Sequence, residues 1–168
     1  MRIVPVMALV TVLLAAVGPA HGGPCAEVPV AAQSGDFDGD GRPDRVWKQR
    51  VGKDLGGRVR AYDPWRGQLR AVEQGRPALV VAWGRPVVAG GACTLIQNRR
   101  FLSTPIWDEE PPPLAVLPRS ALPESAFQGV QSRRWRGDGI LLGTEAGIDV
   151  LLYWDGRRFR IAYSGEKP

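Results

Sequence analysis

The stretch "VLLYWDGRRFRIAY", Val150 to Tyr163, is the clearest secondary-structure signal in the sequence. Two short runs of aliphatic and aromatic residues flank the pair Asp155-Gly156. Glycine accepts the positive φ that tight hairpin turns require, and aspartate tolerates it. The pattern therefore predicts a β-hairpin with strands at 148–154 and 158–163.

The stretch "VRAYDPWRGQLRAV", 59–72, repeats this pattern more weakly, about ninety residues earlier. In both stretches an apolar run with tyrosine leads into a turn that holds Asp and Gly, and a second apolar run carries arginine. The likeness predicts a second hairpin at this point. A duplicated hairpin and a chance likeness both remain open as its explanation.

Short apolar runs, rich in β-branched and aromatic residues, recur along the chain between its 21 glycines and 15 prolines. Runs of this length between turn residues are typical of strands, and no long stretch of the mature chain keeps a helical period. The further strand candidates are 45–51, 57–62, 68–73, 78–83, 93–98, 114–118 and 139–144. The predicted fold class is mainly β, a compact antiparallel domain of meandering hairpins.

Residues 1–22 have the three-part pattern of a secretory signal peptide. Arg2 supplies the positive charge, an apolar run of about fifteen residues follows, and small residues precede a cleavage point after Ala20 or Gly22. The apolar run is short for a membrane span, although an uncleaved anchor is the alternative. We expect residues 23–168 to form a single β-rich domain that is periplasmic or secreted, with no membrane attachment after cleavage.

The two cysteines, Cys25 and Cys93, are predicted to form one disulfide bond. An oxidising compartment and an even cysteine count favour pairing. The bridge would close a long loop and would stabilise the fold by about 4 kcal/mol in the chain-entropy model. Two separate buried thiols are the alternative.

The charge pattern does not favour a nucleic-acid site. The formal net charge is +5 and the pI is about 9.8, but the arginines are scattered and form no run. The six tryptophans are expected to fill the core for the most part, rather than to stack on sugars or peptides. The tripeptide "RGD" at 136–138 is expected to be a chance occurrence rather than an integrin-binding motif.

The residues that most catalytic sites need are missing from the mature sequence. The only histidine is His21, beside the cleavage point, which excludes Ser-His-Asp and Cys-His catalysis and most zinc sites. No Gly-rich phosphate loop with its lysine occurs. Asp108 and its acidic neighbours are expected to be solvated rather than to cleave glycosidic bonds. We therefore expect a binding protein and not an enzyme.

The stretch "GDFDGDGRPDRV", 35–46, gathers four carboxylates in a chain that is otherwise basic: Asp36, Asp38, Asp40 and Asp44. Alternate residues of a curled loop point to its inside, so the first three side chains can converge on one point. Gly41 supplies the unusual backbone angle that the chain needs to turn around that point. Like charges held this close favour a bound cation, and a surface turn without metal is the alternative.

The remaining loop residues complete a set of oxygen ligands. Arg42 presents a backbone carbonyl at position 7 of the loop, and Asp44 closes the ring at position 9. Hard oxygens of this kind suit calcium better than magnesium, which demands stricter geometry and keeps its waters. The loop is not a helix-flanked calcium hand, because position 12 is Trp47. Phe37 is expected to anchor the loop to the core.

The stretch "GDFDGDGRPD" resembles the calcium loop of FG-GAP or VCBS-type repeats, over about residues 35–46. The resemblance implies a calcium site within a β-hairpin, with ligands from Asp36, Asp38, Asp40, Asp44 and the carbonyl of Arg42. Repeats of this family build β-propellers, which need at least four blades. With one such loop, the chain is expected to hold a blade-like calcium hairpin and not a closed propeller.

The sequence as a whole therefore predicts an exported calcium-binding β module with a binding or scaffold role. Its partner is expected to be a protein or a glycan, its calcium structural, and its state monomeric. The alternative function is a metal-assisted hydrolase that uses the aspartate loop as its active site.

Overall fold

The short apolar runs of the sequence fold into two β-sheets in the computed structural model, which describes residues 28–52, 60–84, 93–121 and 126–165. The described residues form ten strands and two short 3-10 helices, at Pro105–Asp108 and Arg119–Ala121. The chain is therefore mainly β, as predicted.

The first sheet has six strands in the order β1-β2-β5-β6-β3-β4. Its strands are β1 (Gln33–Gly35), β2 (Asp44–Arg50), β3 (Arg60–Asp63), β4 (Gln68–Ala71), β5 (Pro77–Ala82) and β6 (Cys93–Ile96). Neighbours pair antiparallel except β3 and β6, which run parallel with Ala61 opposite Leu95. The parallel pair places the turn after β3 beside the turn after β6.

The second sheet is an antiparallel meander of four strands in the order β10-β9-β8-β7. Its strands are β7 (Leu114–Leu117), β8 (Arg136–Leu142), β9 (Val150–Trp154) and β10 (Phe159–Tyr163). The pairing of β8 with β9 shifts register between Arg136 and Ile140, so the start of β8 departs from the regular ladder. The described strands thus form two open sheets rather than a closed propeller, as predicted.

The core lies between the two sheets and extends over their outer faces. In β5, Leu79 and Val81 point into the shared core, whereas Ala78 and Val80 join a second cluster on the other face. Side chains of a strand alternate between faces, so a strand buried on both faces reads as a continuous apolar run. The outer face of the second sheet is covered by Phe127 and its neighbours.

The tryptophans belong to this core, as expected for most of them. Trp47, Trp107 and Trp135 are buried. Trp65, Trp83 and Trp154 are partly buried and pack against the central cluster.

The strongest hairpin prediction is confirmed. β9 and β10 pair antiparallel, with Trp154 opposite Phe159. The carboxylate Oδ1 of Asp155 accepts the N–H groups of Arg157 and Arg158, each at 2.9 Å, and Gly156 has a φ of +91°. The aspartate thus closes the turn with its side chain.

The weaker hairpin prediction is confirmed by β3 and β4, which pair from Arg60 opposite Ala71 to Asp63 opposite Gln68. Asp63 closes this turn in the same way, because its Oδ1 accepts the N–H groups of Trp65 and Arg66. The two turns thus share their chemistry, and a duplicated hairpin and a chance likeness both stay open as the origin of the shared pattern.

Several predictions fall on parts of the chain outside the described residues. The signal peptide at 1–22 and Cys25 lie there, so the cleavage point and the Cys25–Cys93 disulfide stay predictions. In the part of the chain that is described, we find no helix with the length and apolar character of a membrane span.

Candidate metal site

The aspartate loop connects β1 to β2 and begins where Gly35 pairs with Asp44. Phe37 is fully buried in the core between the sheets, which confirms it as the anchor of the loop. Gly39 and Gly41 have φ values of +74° and +81°, in the region that glycine adopts most easily. The buried Phe37 and the two glycines together fix the curled path that the sequence predicts for this stretch.

Three of the predicted ligands come together in the structure. One carboxylate oxygen from each of Asp36, Asp38 and Asp40 lies within 4.8 Å of the others. Two oxygens on one calcium ion are separated by at most about 5 Å, because each lies 2.3–2.6 Å from the ion. The spacing of the three oxygens is therefore compatible with a single shared cation.

Backbone N–H groups of the loop hold these carboxylates in place. Asp36 Oδ1 accepts the N–H groups of Gly39 and Asp40 at 2.9 and 3.0 Å, and its Oδ2 accepts that of Gly41 at 2.9 Å. Asp40 Oδ1 accepts the N–H of Arg42 at 2.9 Å. Asp36 Oδ2 and Asp40 Oδ1 each accept one of these bonds, and a carboxylate oxygen has a further lone pair after one bond, so both keep the capacity to bind a metal.

Asp44 is not a member of this group of three, and its role as a metal ligand stays a prediction; its side chain holds the loop through hydrogen bonds. It is 2% exposed, and its Oδ2 and Oδ1 accept the N–H groups of Phe37 and Gly84 at 2.8 and 2.7 Å. Burial raises the pKa of Asp44 above its ordinary value, the two N–H donors oppose this, and the charges of Asp38 and Asp40 reinforce it. Its bonds tie the loop to the end of β5, a role that the sequence did not indicate.

Arg42 lies exposed in the loop between Gly41 and Pro43. Its backbone N–H is held by Asp40, which fixes the chain at the position where its carbonyl is expected to bind metal. The carbonyl contribution of Arg42 stays a prediction.

The second sheet also holds the loop, through residues that sequence reasoning missed. Asp138 Oδ2 accepts the N–H of Asp36 at 2.9 Å, and its Oδ1 accepts the N–H of Arg119 at 3.1 Å. Gly137 has a φ of +61°, and a Cβ at this position would overlap the backbone of Asp36 and Phe37. The tripeptide "RGD" is thus part of the packing between loop and sheet, and its carboxylate is bonded within the protein.

The surroundings of the loop bear on the hydrolase alternative. The aspartates of the loop do not line either of two cavities of about 530 and 450 Å³ that the described residues form. Catalysis by a bound metal needs an open coordination position beside a cleft. The metal-assisted hydrolase stays the alternative prediction.

Comparisons with known proteins add no relative: no family model matches the chain, and neither a curated protein nor a solved structure matches it significantly. The resemblance of residues 35–46 to FG-GAP and VCBS-type loops therefore stays a prediction. The chemistry and geometry of the loop itself support a metal site.

Proposed function

We propose that this chain is an exported calcium-binding β module in which one ion fixes the aspartate loop, and that it has a binding or scaffold role. The observation that carries the proposal is the grouping of carboxylate oxygens from Asp36, Asp38 and Asp40 within 4.8 Å. Three negative charges this close repel one another strongly unless a cation is shared among them.

The donor set supports calcium among the common metals. Carboxylate and carbonyl oxygens are hard ligands, and calcium takes six to eight of them in flexible geometry. Three aspartates, the carbonyl of Arg42 and water would complete such a shell. The loop offers no histidine or cysteine, which are the ligands that zinc prefers.

The position of the loop supports a structural role for the ion. The loop contacts β8 through Asp138 and the end of β5 through Asp44. An ion that holds the loop in shape would therefore stabilise contacts of both sheets as well as the β1–β2 hairpin. Two packed sheets held in this way would suit a scaffold that presents a binding surface.

The test is the melting temperature of the protein in chelator and in millimolar calcium. An ion that binds only the folded state stabilises it by about 2.7 kcal/mol at a hundred times its dissociation constant. For a domain of this size, that corresponds to a rise of roughly 6–10 °C. Equal melting temperatures in the two buffers would overturn the proposal. Hydrolysis of a test ester or glycoside that appears only with calcium, without a change in melting, would favour the hydrolase instead.

A further inference from the structure

A second site, separate from the aspartate loop, lies where the two sheets meet. A cavity of about 530 Å³ opens between the turns that follow β3 and β6 and the loop that joins β8 to β9. We call it the arginine cavity, after its lining residues Arg66, Arg70, Arg99 and Arg100. Its volume lies within the range of about 300–1,000 Å³ that is typical of small-ligand sites.

The charge of the arginine cavity selects an anion. Four arginines line the cavity together with a single acidic residue, Asp63. Arg66 and Arg70 approach Asp63 Oδ2 at 3.9 and 3.8 Å, and this contact holds both side chains beside the cavity. Arginine presents a planar fork of donors that matches carboxylate, sulfate and phosphate groups. Because positive charge remains in excess, an anionic group is the complementary ligand.

One carboxylate oxygen of Asp63 has no hydrogen-bond donor. Its side chain is 1% exposed, and Oδ1 accepts the N–H of Trp65 at 3.1 Å and the amide of Asn98 at 3.0 Å. Oδ2 is buried and has no hydrogen-bond partner, since the two arginine nitrogens lie beyond hydrogen-bonding distance. Buried acceptors are normally satisfied. Because Oδ2 is shielded from solvent, a ligand hydroxyl group would donate to it through a shift of the exposed Arg66 or Arg70 side chain.

The wall of the arginine cavity is aromatic. Trp65 and Phe101 are both partly buried and lie with their ring centroids 4.6 Å apart. An aromatic face gives a ligand a flat apolar surface to pack against. An acidic sugar ring combines a flat apolar face, hydroxyl donors and a negative charge.

We propose that the arginine cavity binds an acidic sugar residue of a glycan, with its acid group on the arginines and its ring against Trp65 and Phe101. The shared chemistry is a hydroxylated ring that bears a carboxylate or a sulfate. The proposal rests on the binding role in the proposed function and gives that role a ligand class. It does not depend on the calcium site, because none of the loop aspartates lines this cavity.

The experiment is calorimetric titration of the full mature protein, in constant calcium, with trigalacturonate. The matched neutral probe is the methyl ester of the same trisaccharide, and a sulfated trisaccharide distinguishes sulfate from carboxylate. We expect binding of one or both acidic probes and at least about tenfold weaker binding of the neutral ester. Equal binding of acid and ester, or no binding of either acidic probe at millimolar concentration, would overturn the proposal. Inorganic sulfate or a short DNA strand that binds as tightly as the acidic sugars would overturn it too.

The matched variants remove the same number of charges from two different places. The double variant Arg99→Ala, Arg100→Ala removes two exposed guanidinium groups of the cavity, and Arg133→Ala, Arg134→Ala removes an exposed adjacent pair elsewhere. We expect the first pair to weaken binding of the acidic sugar about tenfold and the second to leave it nearly unchanged. Equal losses would mean that only net charge matters, and would overturn the site. Failure of these titrations leaves the melting test of calcium untouched, so the two proposals are judged separately.

Discussion

The N–H of Asp36 donates to Oδ2 of Asp138 at 2.9 Å, and the N–H of Asp138 donates to the carbonyl of Asp36 at 2.6 Å. The two residues lie 102 positions apart in the chain. This reciprocal pair ties the first residue of the aspartate loop to the second sheet. Order in the loop is therefore coupled to the packing of the two sheets. Changes in the loop should for this reason alter the free energy of unfolding.

Asp40→Asn should remove most of the stabilisation by calcium while leaving the metal-free protein almost unchanged. The asparagine oxygen can still accept the N–H of Arg42, but the side chain no longer carries a charge for the ion. The measurement is the rise in melting temperature between chelator and millimolar calcium, which we expect to fall to less than about half of its original value.

The control for this experiment is Asp108→Ala, which removes a carboxylate far from the loop. Asp108 pairs with Arg50 at 2.7 Å, and both side chains are more than 60% exposed, so the pair adds little to stability. The calcium response of this variant should equal that of the unchanged protein. A full calcium response in Asp40→Asn would contradict the assignment of Asp40 as a ligand.

Asp44→Asn should destabilise the protein in chelator and in calcium alike. Its two oxygens accept the N–H groups of Phe37 and Gly84 in the interior, and an amide has an oxygen for only one of them. A buried donor without its acceptor costs about 1–3 kcal/mol. Denaturant unfolding in chelator measures this loss. If Asp44→Asn is harmless in chelator and lowers stability only when calcium is present, Asp44 acts mainly as a metal ligand and the bracing role is wrong.

Gly137→Ala should be far more damaging than an alanine at another glycine with positive φ. At Gly137 the new Cβ would meet the carbonyl carbon of Phe37 at 2.6 Å and the nitrogen of Gly39 at 2.7 Å, both of them backbone atoms. Gly75 has a similar φ of +70° but open space around its Cβ position. Gly75→Ala should therefore cost only the backbone strain, about 1–2 kcal/mol.

The comparison of these two alanine variants isolates the loss of stability that is due to steric overlap at Gly137. We expect Gly137→Ala to lose at least about 2 kcal/mol more than Gly75→Ala in urea unfolding, or to fail to accumulate as folded protein. Similar losses in the two variants would show that the loop does not press on β8 as the structure describes.

Asp155→Asn should lower stability at neutral pH and make no difference in strong acid. Burial by itself would raise the pKa of Asp155, but the guanidinium of Arg160 at 2.6 Å and the turn N–H groups outweigh it and hold the pKa below its ordinary value of 3.8. A lowered pKa contributes stability above 3.8 that is lost as the pH falls through the lower folded-state value.

The expected loss at pH 7 is about 1–2 kcal/mol, because the asparagine keeps the turn bonds through its oxygen and loses only the charged contact with Arg160. Unfolding free energies at pH 7 and in strong acid measure the difference. A loss that is the same at both pH values would mean that the charge of Asp155 does not stabilise the hairpin.

The sequence by itself determined what depends on neighbouring residues. The hairpin at Asp155-Gly156, the positive φ of Gly41 and the burial of Phe37 follow from turn chemistry and from local alternation, and each is confirmed. The convergence of Asp36, Asp38 and Asp40 also follows from spacing along one curled loop. The short strand β1 was missed, because three residues of mixed polarity give no periodic signal.

Only the tertiary structure decided what depends on distant residues. The sequence predicts Asp44 as a fourth ligand, which stays a prediction, but it does not show that the oxygens of Asp44 accept the N–H groups of Phe37 and of Gly84, forty positions away. Gly137 and Asp138 look like part of a chance tripeptide, yet they seat the loop on β8. The arginine cavity joins side chains from β4 and from turns of both sheets. Contacts of this kind depend on strand order and on the packing of the sheets. They join residues that are far apart in the sequence, so no local sequence pattern indicates them.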